Sequence, residues 1–206
     1  MSLWSEPVRS RAPTSIALYA LVALLAIAEL VIFWLALHPD VPDDYRAYYL
    51  DRTTTCLPQP VTGEYTLGTP VDFRSGGPNT RELRPCGWEG PAGDGMHAVG
   101  ETSRLRFNLG RSGAFVMTIG MTAVSLQGPP EQRVVISGNG TLLETLAVPG
   151  GQSRSFQVTI PDGVVGADGI LDIALDFPEA ILPGRGDANT RKRSIKLTDV
   201  QIIPAS

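Results

Sequence analysis

The stretch RVVISGNGTLLETL, residues 133–146, gives the clearest indication of local structure in this sequence. In its two halves, 133–137 and 141–146, apolar side chains alternate with polar ones or form short β-branched runs, as they do in strands with one buried face. Gly138-Asn139-Gly140 joins the halves, and Asn-Gly tolerates the positive φ angles that a tight turn needs. The stretch therefore predicts a β-hairpin.

Segments of the same kind continue on both sides of the hairpin. Turn sequences such as Pro149-Gly150-Gly151 and Pro161-Asp162-Gly163 separate them. The segments cover residues 104–109, 114–124, 155–160, 169–177 and 195–203. Short strands with recurring turn signals, and no long amphipathic helix among them, are typical of an antiparallel β-sandwich. We therefore predict a mainly β domain.

Before this domain the sequence contains an apolar run, residues 14–37, which Glu29 alone interrupts with an ionisable side chain. At about 1.5 Å per residue a helix of this length crosses a hydrocarbon core of roughly 30 Å. The run is longer than the apolar region of a cleaved signal, and Leu35-Ala36-Leu37-His38 is a poor cleavage site. We predict a retained transmembrane signal anchor, with a cleaved signal peptide as the alternative.

The charges that flank the apolar run predict its orientation. Arg9 and Arg11 precede it, whereas Asp40, Asp43 and Asp44 follow it, so the positive-inside rule puts the N-terminus in the cytoplasm. The domains predicted are a cytoplasmic tail (1–13), the anchor (14–37), a juxtamembrane linker (38–52) and an extracytoplasmic β-sandwich (53–206). A composition rich in Gly, Pro and Arg without Lys-rich tracts favours a bacterium. We predict an inner-membrane protein with a periplasmic domain, with the exterior of a single-membrane cell as the alternative to the periplasm.

Both cysteines, Cys56 and Cys86, follow the apolar run. In an oxidising compartment such a pair predicts a disulfide; a metal-binding pair is the alternative, but further Cys or suitably spaced His residues are lacking. The net charge is -4, and the basic residues are scattered apart from 191–193. A basic stripe for nucleic acid is therefore absent from the sequence.

The region 87–203 also resembles a known group of modules. The matching elements are Asn139-Gly140, Ile160-Pro161, the segment 171–177, Asp187 with Arg191, the segment 195–203, Cys86-Gly87-Trp88-Glu89 and Gly95-Met96-His97. Together they resemble the β-sandwich modules outside the membrane-spanning part of some bacterial envelope glycosyltransferases. Those modules belong to the jelly-roll, carbohydrate-binding-like domains. The resemblance implies a jelly-roll-like sandwich that assists a glycan system, here without the multi-spanning catalytic part.

Four residues are candidates for glycan binding. Trp88 could be a stacking platform for a sugar ring, beside Glu89, Asp94 and His97, whose polar atoms could bond sugar hydroxyls. The alternatives are that Trp88 is a core aromatic next to the disulfide and that His97 is an ordinary loop histidine. We find neither a nucleophile with a positioned base nor a phosphate loop, and we expect no enzymatic activity.

Acidic residues near the C-terminus offer a second possibility. Asp168, Asp172, Asp176 and Asp187 could contribute to a structural calcium site, although Asp172 and Asp176 share one face of a predicted strand and would then point to solvent. Asp187 with Arg191 is predicted to form a structural ion pair. We expect no cofactor and no other metal.

Glu29 is unusual because a carboxylate inside a bilayer is costly unless it is protonated or paired. We predict that it contacts another membrane helix, with Ala23 and Ala26 allowing close approach; a protonated or snorkelling Glu29 is the alternative. Two functions follow from the sequence. The first is a non-enzymatic, glycan-associated module of an envelope polysaccharide system, and the second is an accessory subunit of a larger respiratory or photosynthetic membrane complex.

Overall fold

A computed structural model describes residues 12–38, 56–124, 131–181 and 192–205. The chain divides into two compact units, Met1–Val41 and Pro42–Ser206. The first contains helix α1, Ala12–Leu37. Its segment Ser15–Leu37 has a mean hydropathy of 2.7 and is long enough to cross a membrane. A membrane anchor and a signal sequence both have this form, and most of the predicted tail and linker lies outside the described residues.

The second unit is built from strands. Their bounds are β1 Val71–Asp72, β2 Trp88–Ala92, β3 Gly95–Val99, β4 Thr102–Asn108, β5 Phe115–Ala123, β6 Glu131–Gly138, β7 Thr141–Pro149, β8 Arg154–Ile160, β9 Ile170–Asp176 and β10 Arg193–Pro204. One short 3-10 turn, Arg81–Leu83, precedes β2. The prediction of a mainly β domain is confirmed.

The strands of the described residues form two antiparallel sheets. Sheet I has the order β2-β3-β10-β5-β8, with β1 also paired to β10, and sheet II has the order β4-β9-β6-β7. Side chains alternate between the two faces of each strand. In β4, Leu105 and Phe107 point inward and are fully buried, whereas Arg104 points outward and is exposed. The hydrophobic core lies between the inner faces of the two sheets, which is the packing of a β-sandwich.

The hairpin predicted around Gly138-Asn139-Gly140 is formed by β6 and β7, in which Gly138 pairs with Thr141. Asn139 and Gly140 have φ angles of 45° and 81°, as a two-residue hairpin turn of the primed type requires. The Asn139 amide Nδ2 donates to the carbonyls of Val164 and Ile170, each at 2.9 Å. Its Oδ1 accepts from the backbone N–H of Asp172 at 2.7 Å. The turn is thereby fastened to β9.

The disulfide is confirmed between Cys56 and Cys86, with Cα atoms 5.4 Å apart and a sequence separation of 30. Cys86 is buried beside β4, where its carbonyl accepts from the Arg104 N–H at 3.0 Å. In the chain-entropy model a loop of this length stabilises the fold by about 3 to 4 kcal/mol. The disulfide thereby ties the segment around Cys56, which precedes the strands, to Cys86 beside β4.

Three strands, β1, β2 and β3, were not predicted from the sequence. Strand β2 reads WEGPA, and Gly and Pro disfavour a strand except at an edge, where a missing N–H leaves no ladder bond unmade. β2 is an edge of sheet I. Strand β3 reads GMHAV, which has only one β-branched residue. The assignment of His97 to a loop was therefore wrong: His97 lies in the middle of β3.

Candidate functional site

Strands β3, β10 and β5 lie side by side, and they bring three polar side chains into one row. Lys196 of β10 pairs with His97 of β3 on one side and with Thr122 of β5 on the other. The chain neighbours of His97, which are Met96 and Ala98, are fully buried in the core. Since successive side chains point to opposite faces of a strand, the row lies on the outer face of sheet I.

This row forms part of a concavity of about 340 Å³. Its lining, which we call the His97 concavity, consists of His97, Thr122, Ala123, Val124, Gly151, Arg193 and Lys196. Three strands and the turn before β8 contribute to it. A surface of this kind, recessed and lined by several polar side chains, is where small polar ligands bind.

Three buried polar atoms of the His97 concavity have no hydrogen-bond partner among the described residues. They are Nδ1 of His97, Oγ1 of Thr122 and Nε of Arg193, out of five such atoms in that part of the chain. A buried polar group without a partner costs about 1 to 3 kcal/mol, so such groups are rare in native proteins. The three residues line one concavity, which makes it the candidate site for a polar ligand.

Two cations of the concavity are paired with carboxylates from β2 and the β2–β3 turn. Arg193 Nη2 donates to both oxygens of Glu89, at 3.2 and 3.3 Å, and Lys196 Nζ donates to Asp94 Oδ2. The Lys196 hydrogen bond lowers the pKa of Asp94. Burial, followed by the charges of Arg193 and Lys196, lowers the pKa of His97 below its usual value of 6.5. The charges of Glu89 and Asp94 act in the opposite direction but are smaller effects. The imidazole is therefore neutral at pH 7.

The structure brings three of the four predicted glycan-binding residues together and separates the fourth. Glu89, Asp94 and His97 surround the two cations, but Trp88 pairs with Ala98, whose side chain is in the core. The Trp88 ring is half-buried against that core, and its Nε1 donates to the Arg104 carbonyl at 2.7 Å. Trp88 therefore lies between the sheets beside the disulfide, and a glycan contact by its ring stays a prediction.

Sequence reasoning missed Thr122, Arg193 and Lys196. Lys196 was visible only as a polar residue in the apolar segment 195–203, and Thr122 as a polar residue in 114–124. What unites them with His97 is the strand order β3-β10-β5, which joins residues far apart in the chain. No local signal in the sequence gives that order.

Asp172 and Asp176 lie on the half-exposed face of β9, as predicted, and both have partners on β4. Arg106 donates to Asp172 through Nε and Nη2, at 2.6 and 2.7 Å, and this contact raises the pKa of Arg106. Thr102 donates to Asp176 at 2.6 Å. The described residues contain no group of three or more His, Cys, Asp or Glu able to hold a metal ion. The predicted ion pair of Asp187 with Arg191 lies outside the described residues.

A second concavity, of about 430 Å³, is lined by Thr62, Glu64, Tyr65, Asn108, Leu109 and Gly110. Its hydrogen-bonding groups serve the protein itself. The Tyr65 hydroxyl donates to the Thr69 carbonyl at 2.8 Å and accepts from the Ile202 N–H at 2.9 Å. Asn108 Oδ1 accepts from the Gly110 N–H at 3.0 Å. The His97 concavity, with its unpaired groups, is therefore the better candidate site.

In the first unit, the geometry of helix α1 determines which alanine residues lie on the same face as Glu29. At 3.6 residues per turn, Ala26 lies about 60° and Ala36 about 20° from Glu29 around the helix axis, whereas Ala23 lies about 120° away. The Glu29 side chain is exposed on the helix. Ala26 therefore remains a candidate for the predicted partner contact, and Ala23 belongs to a neighbouring face.

Comparisons with known proteins give structural neighbours alone, since no family model and no curated protein matches this chain. The CBM36-1 domain of a multidomain xylanase from the hindgut metagenome of Trinervitermes trinervoides has 16% identity and a TM-score of 0.38, covering 67% of this chain and 98% of that one. The CBM22-2 xylan-binding domain from Paenibacillus barcinonensis has 15% identity and a TM-score of 0.41, covering 66% and 99%.

A family 35 carbohydrate-binding module from an environmental isolate has 15% identity and a TM-score of 0.36, covering 74% of this chain and 98% of that module. At these identities and scores none of the likenesses says what this chain binds. Several structural neighbours of this mainly β chain are thus carbohydrate-binding modules, and its own ligand has to be argued from the His97 concavity.

Proposed function

We propose that this chain is a non-enzymatic, glycan-associated module that binds saccharide in the His97 concavity. The observation that carries the proposal is that three residues lining this one recess, His97, Thr122 and Arg193, each hold a buried polar atom without a partner among the described residues. A sugar ring has hydroxyl groups around its rim, and each of them both donates and accepts hydrogen bonds. One ring edge can therefore satisfy a hydroxyl, an imidazole and a guanidinium together.

The carboxylates beside the concavity are arranged for structure and not for catalysis. Hydrolysis of a glycosidic bond uses two carboxyl groups, one of which has a raised pKa and donates a proton. Glu89 is paired with Arg193, and Lys196 lowers the pKa of Asp94. The lowered pKa of Asp94 does not suit a general acid, and Glu89 is held in an ion pair, which supports binding without catalysis.

The proposed setting is the periplasmic face of a bacterial inner membrane, in an envelope polysaccharide or glycosyltransferase system. Three observations support it: the apolar helix near the N-terminus, the acidic residues that follow it in the sequence, and the disulfide between Cys56 and Cys86, a bond typical of oxidising compartments. The sequence resemblance to modules of envelope glycosyltransferases points to the same setting.

The test is a binding measurement with the full chain in lipid nanodiscs, first on a saccharide array and then by titration calorimetry. We expect Thr122→Val to weaken binding of the best saccharide at least tenfold, because it removes an unpaired hydroxyl of the concavity. Thr118→Val is the matched control, since Thr118 lies on the same face of β5 but does not line the concavity. Binding by no saccharide, or equal losses in both variants, would overturn the proposal.

A second candidate function is that of an accessory subunit in a larger membrane complex, respiratory or photosynthetic. Glu29 favours it, because a carboxylate exposed on an apolar helix costs a few kcal/mol in lipid unless it has a partner. Purification from native membranes in mild detergent tests this function. We expect a co-purifying membrane protein that Glu29→Leu releases and Ala23→Leu does not; recovery of the chain alone would count against it.

A further inference from the structure

Two basic side chains of the His97 concavity keep hydrogen-bond donors after their pairs with carboxylates are formed. Nε–H of an arginine can only donate, and a lysine has three N–H donors; Arg193 Nε has no partner among the described residues, and Lys196 bonds Asp94. Both oxygens of Glu89 already accept from Arg193. The unpaired Nε–H of Arg193 can be satisfied only by an acceptor, and a charged acceptor satisfies it best.

A bulge in β10 places both cations in this recess. Arg193 and Lys196 are three positions apart, and in a regular strand residues at that spacing point to opposite faces. The register against β3 shifts between them, since Arg193 pairs with Val99 and Lys196 with His97. A bulge of this kind redirects a side chain, and bulges are frequent next to functional sites. Because of the shift, both residues line the concavity.

Both cations are also shielded from water, which strengthens their interaction with an anion. The side-chain exposure is 21% for Arg193 and 23% for Lys196. Hydrogen bonds between ionised partners are roughly twice as strong as neutral ones, and screening by solvent is weaker at partly buried sites. A negatively charged oxygen would take the free Nε–H of Arg193, a free N–H of Lys196 and the Thr122 hydroxyl proton.

We propose, on the basis of the function proposed above, that the saccharide bound in the His97 concavity is acidic and presents an oxyanion to Arg193, Lys196 and Thr122. The anionic oxygens can come from the carboxylate of a uronic acid or from a sugar sulfate. Both offer several acceptor lone pairs and no proton, so either one matches a recess that holds unpaired donors. A neutral sugar would leave the arginine donor with a weaker, uncharged partner.

The experiment compares saccharides that differ only in charge, using the full chain in nanodiscs of zwitterionic lipid at pH 7 and low salt. The probes are galacturonate oligosaccharides with their methyl esters, and sulfated galactan oligosaccharides with their desulfated forms. We expect the acidic probe of one pair, or of both, to bind at least tenfold more tightly than its neutral counterpart. The pair that shows the difference identifies the source of the oxyanion.

Variants then assign the effect to the concavity. Arg193→Lys keeps the charge but removes the Nε–H, and we expect it to weaken acidic binding at least tenfold and neutral binding by less, because an uncharged hydroxyl is the weaker partner of this donor. Arg133→Lys is the matched control, because Arg133 is also paired with a glutamate, at 3.1 Å, but lies in sheet II. Should Arg193→Lys fail to fold, Lys196→Gln is expected to give the same selective loss.

The outcomes separate this inference from the proposed function. Equal affinity for acidic and neutral probes would overturn the inference that the saccharide presents an oxyanion, but it would leave the proposal of saccharide binding intact. Binding of no probe and of no array saccharide would overturn both. Equal loss in Arg193→Lys and Arg133→Lys would also overturn the oxyanion, because the preference would then reflect charge in general and not the His97 concavity.

Discussion

At the scale of single residues, three polar side chains of the His97 concavity are expected to reduce the stability of the unliganded chain. Thr122, His97 and Arg193 each hold a buried polar atom without a partner in the described part of the chain. Groups of this kind lower the free energy of unfolding, because water solvates them in the unfolded state. We attribute their clustering to the ligand proposed above.

Thr122→Val tests whether the unpaired Thr122 hydroxyl lowers the free energy of unfolding. Valine has nearly the shape of threonine and suits a strand, and we expect the free energy of unfolding to stay the same or to rise by about 1 kcal/mol. Denaturant unfolding followed by near-ultraviolet circular dichroism measures it. A loss of stability of the same size would show instead that the Thr122 hydroxyl is satisfied in the folded protein.

His97 predicts a pH dependence of stability. Its pKa is lowered from 6.5 by burial and by Arg193 and Lys196, partly offset by Glu89 and Asp94. As the pH falls below 6.5, the unfolded chain therefore takes up a proton before the folded chain does, and stability falls until the lowered pKa is passed. We expect the thermal midpoint to fall less between pH 7.5 and 5 in His97→Gln than in the natural chain. Identical slopes would contradict this.

At the scale of elements, the hairpin of β6 and β7 depends on one side chain. Asn139 has a φ of 45° and bonds Val164, Ile170 and Asp172. We expect Asn139→Ala to lower the free energy of unfolding by about 3 kcal/mol, from three lost hydrogen bonds and the strain of positive φ. Asn139→Asp keeps the acceptor and tolerates the φ angle, so its loss should be smaller, about 1 to 2 kcal/mol. Equal losses would show that the Oδ1 acceptor and the φ tolerance of Asn139 contribute nothing.

The elements also show what sequence patterns can and cannot reveal. The strands from β4 to β10 were predictable because each carries apolar residues in alternation or in a β-branched run. Strand β2 was not predicted because it contains Gly90 and Pro91, which an edge strand tolerates. Strand β3 was not predicted because its glycine and histidine are not typical of a strand. The row of His97, Lys196 and Thr122 depends on which strands become neighbours, and that order follows from packing of the whole core, which no local pattern specifies.

At the scale of the whole molecule, the disulfide reports the compartment of the second unit. If residues 53–206 are periplasmic, Cys56 and Cys86 should resist alkylation in intact cells until a reductant is added. Deletion of residues 1–38 should keep the chain in the cytoplasm, where both thiols stay reduced and are alkylated. Alkylation of the full chain without reductant would contradict the proposed topology.

The position of Trp88 has a practical consequence for experiments on the full chain. Of the three tryptophans in the sequence, it is the one that follows the apolar helix, and its indole joins β2 to the Arg104 carbonyl of β4. Its fluorescence thus senses separation of the two sheets at this edge. The Trp88 ring lies on the other side of sheet I from His97. A ligand in the His97 concavity would therefore change the Trp88 emission only if it altered the packing of the two sheets.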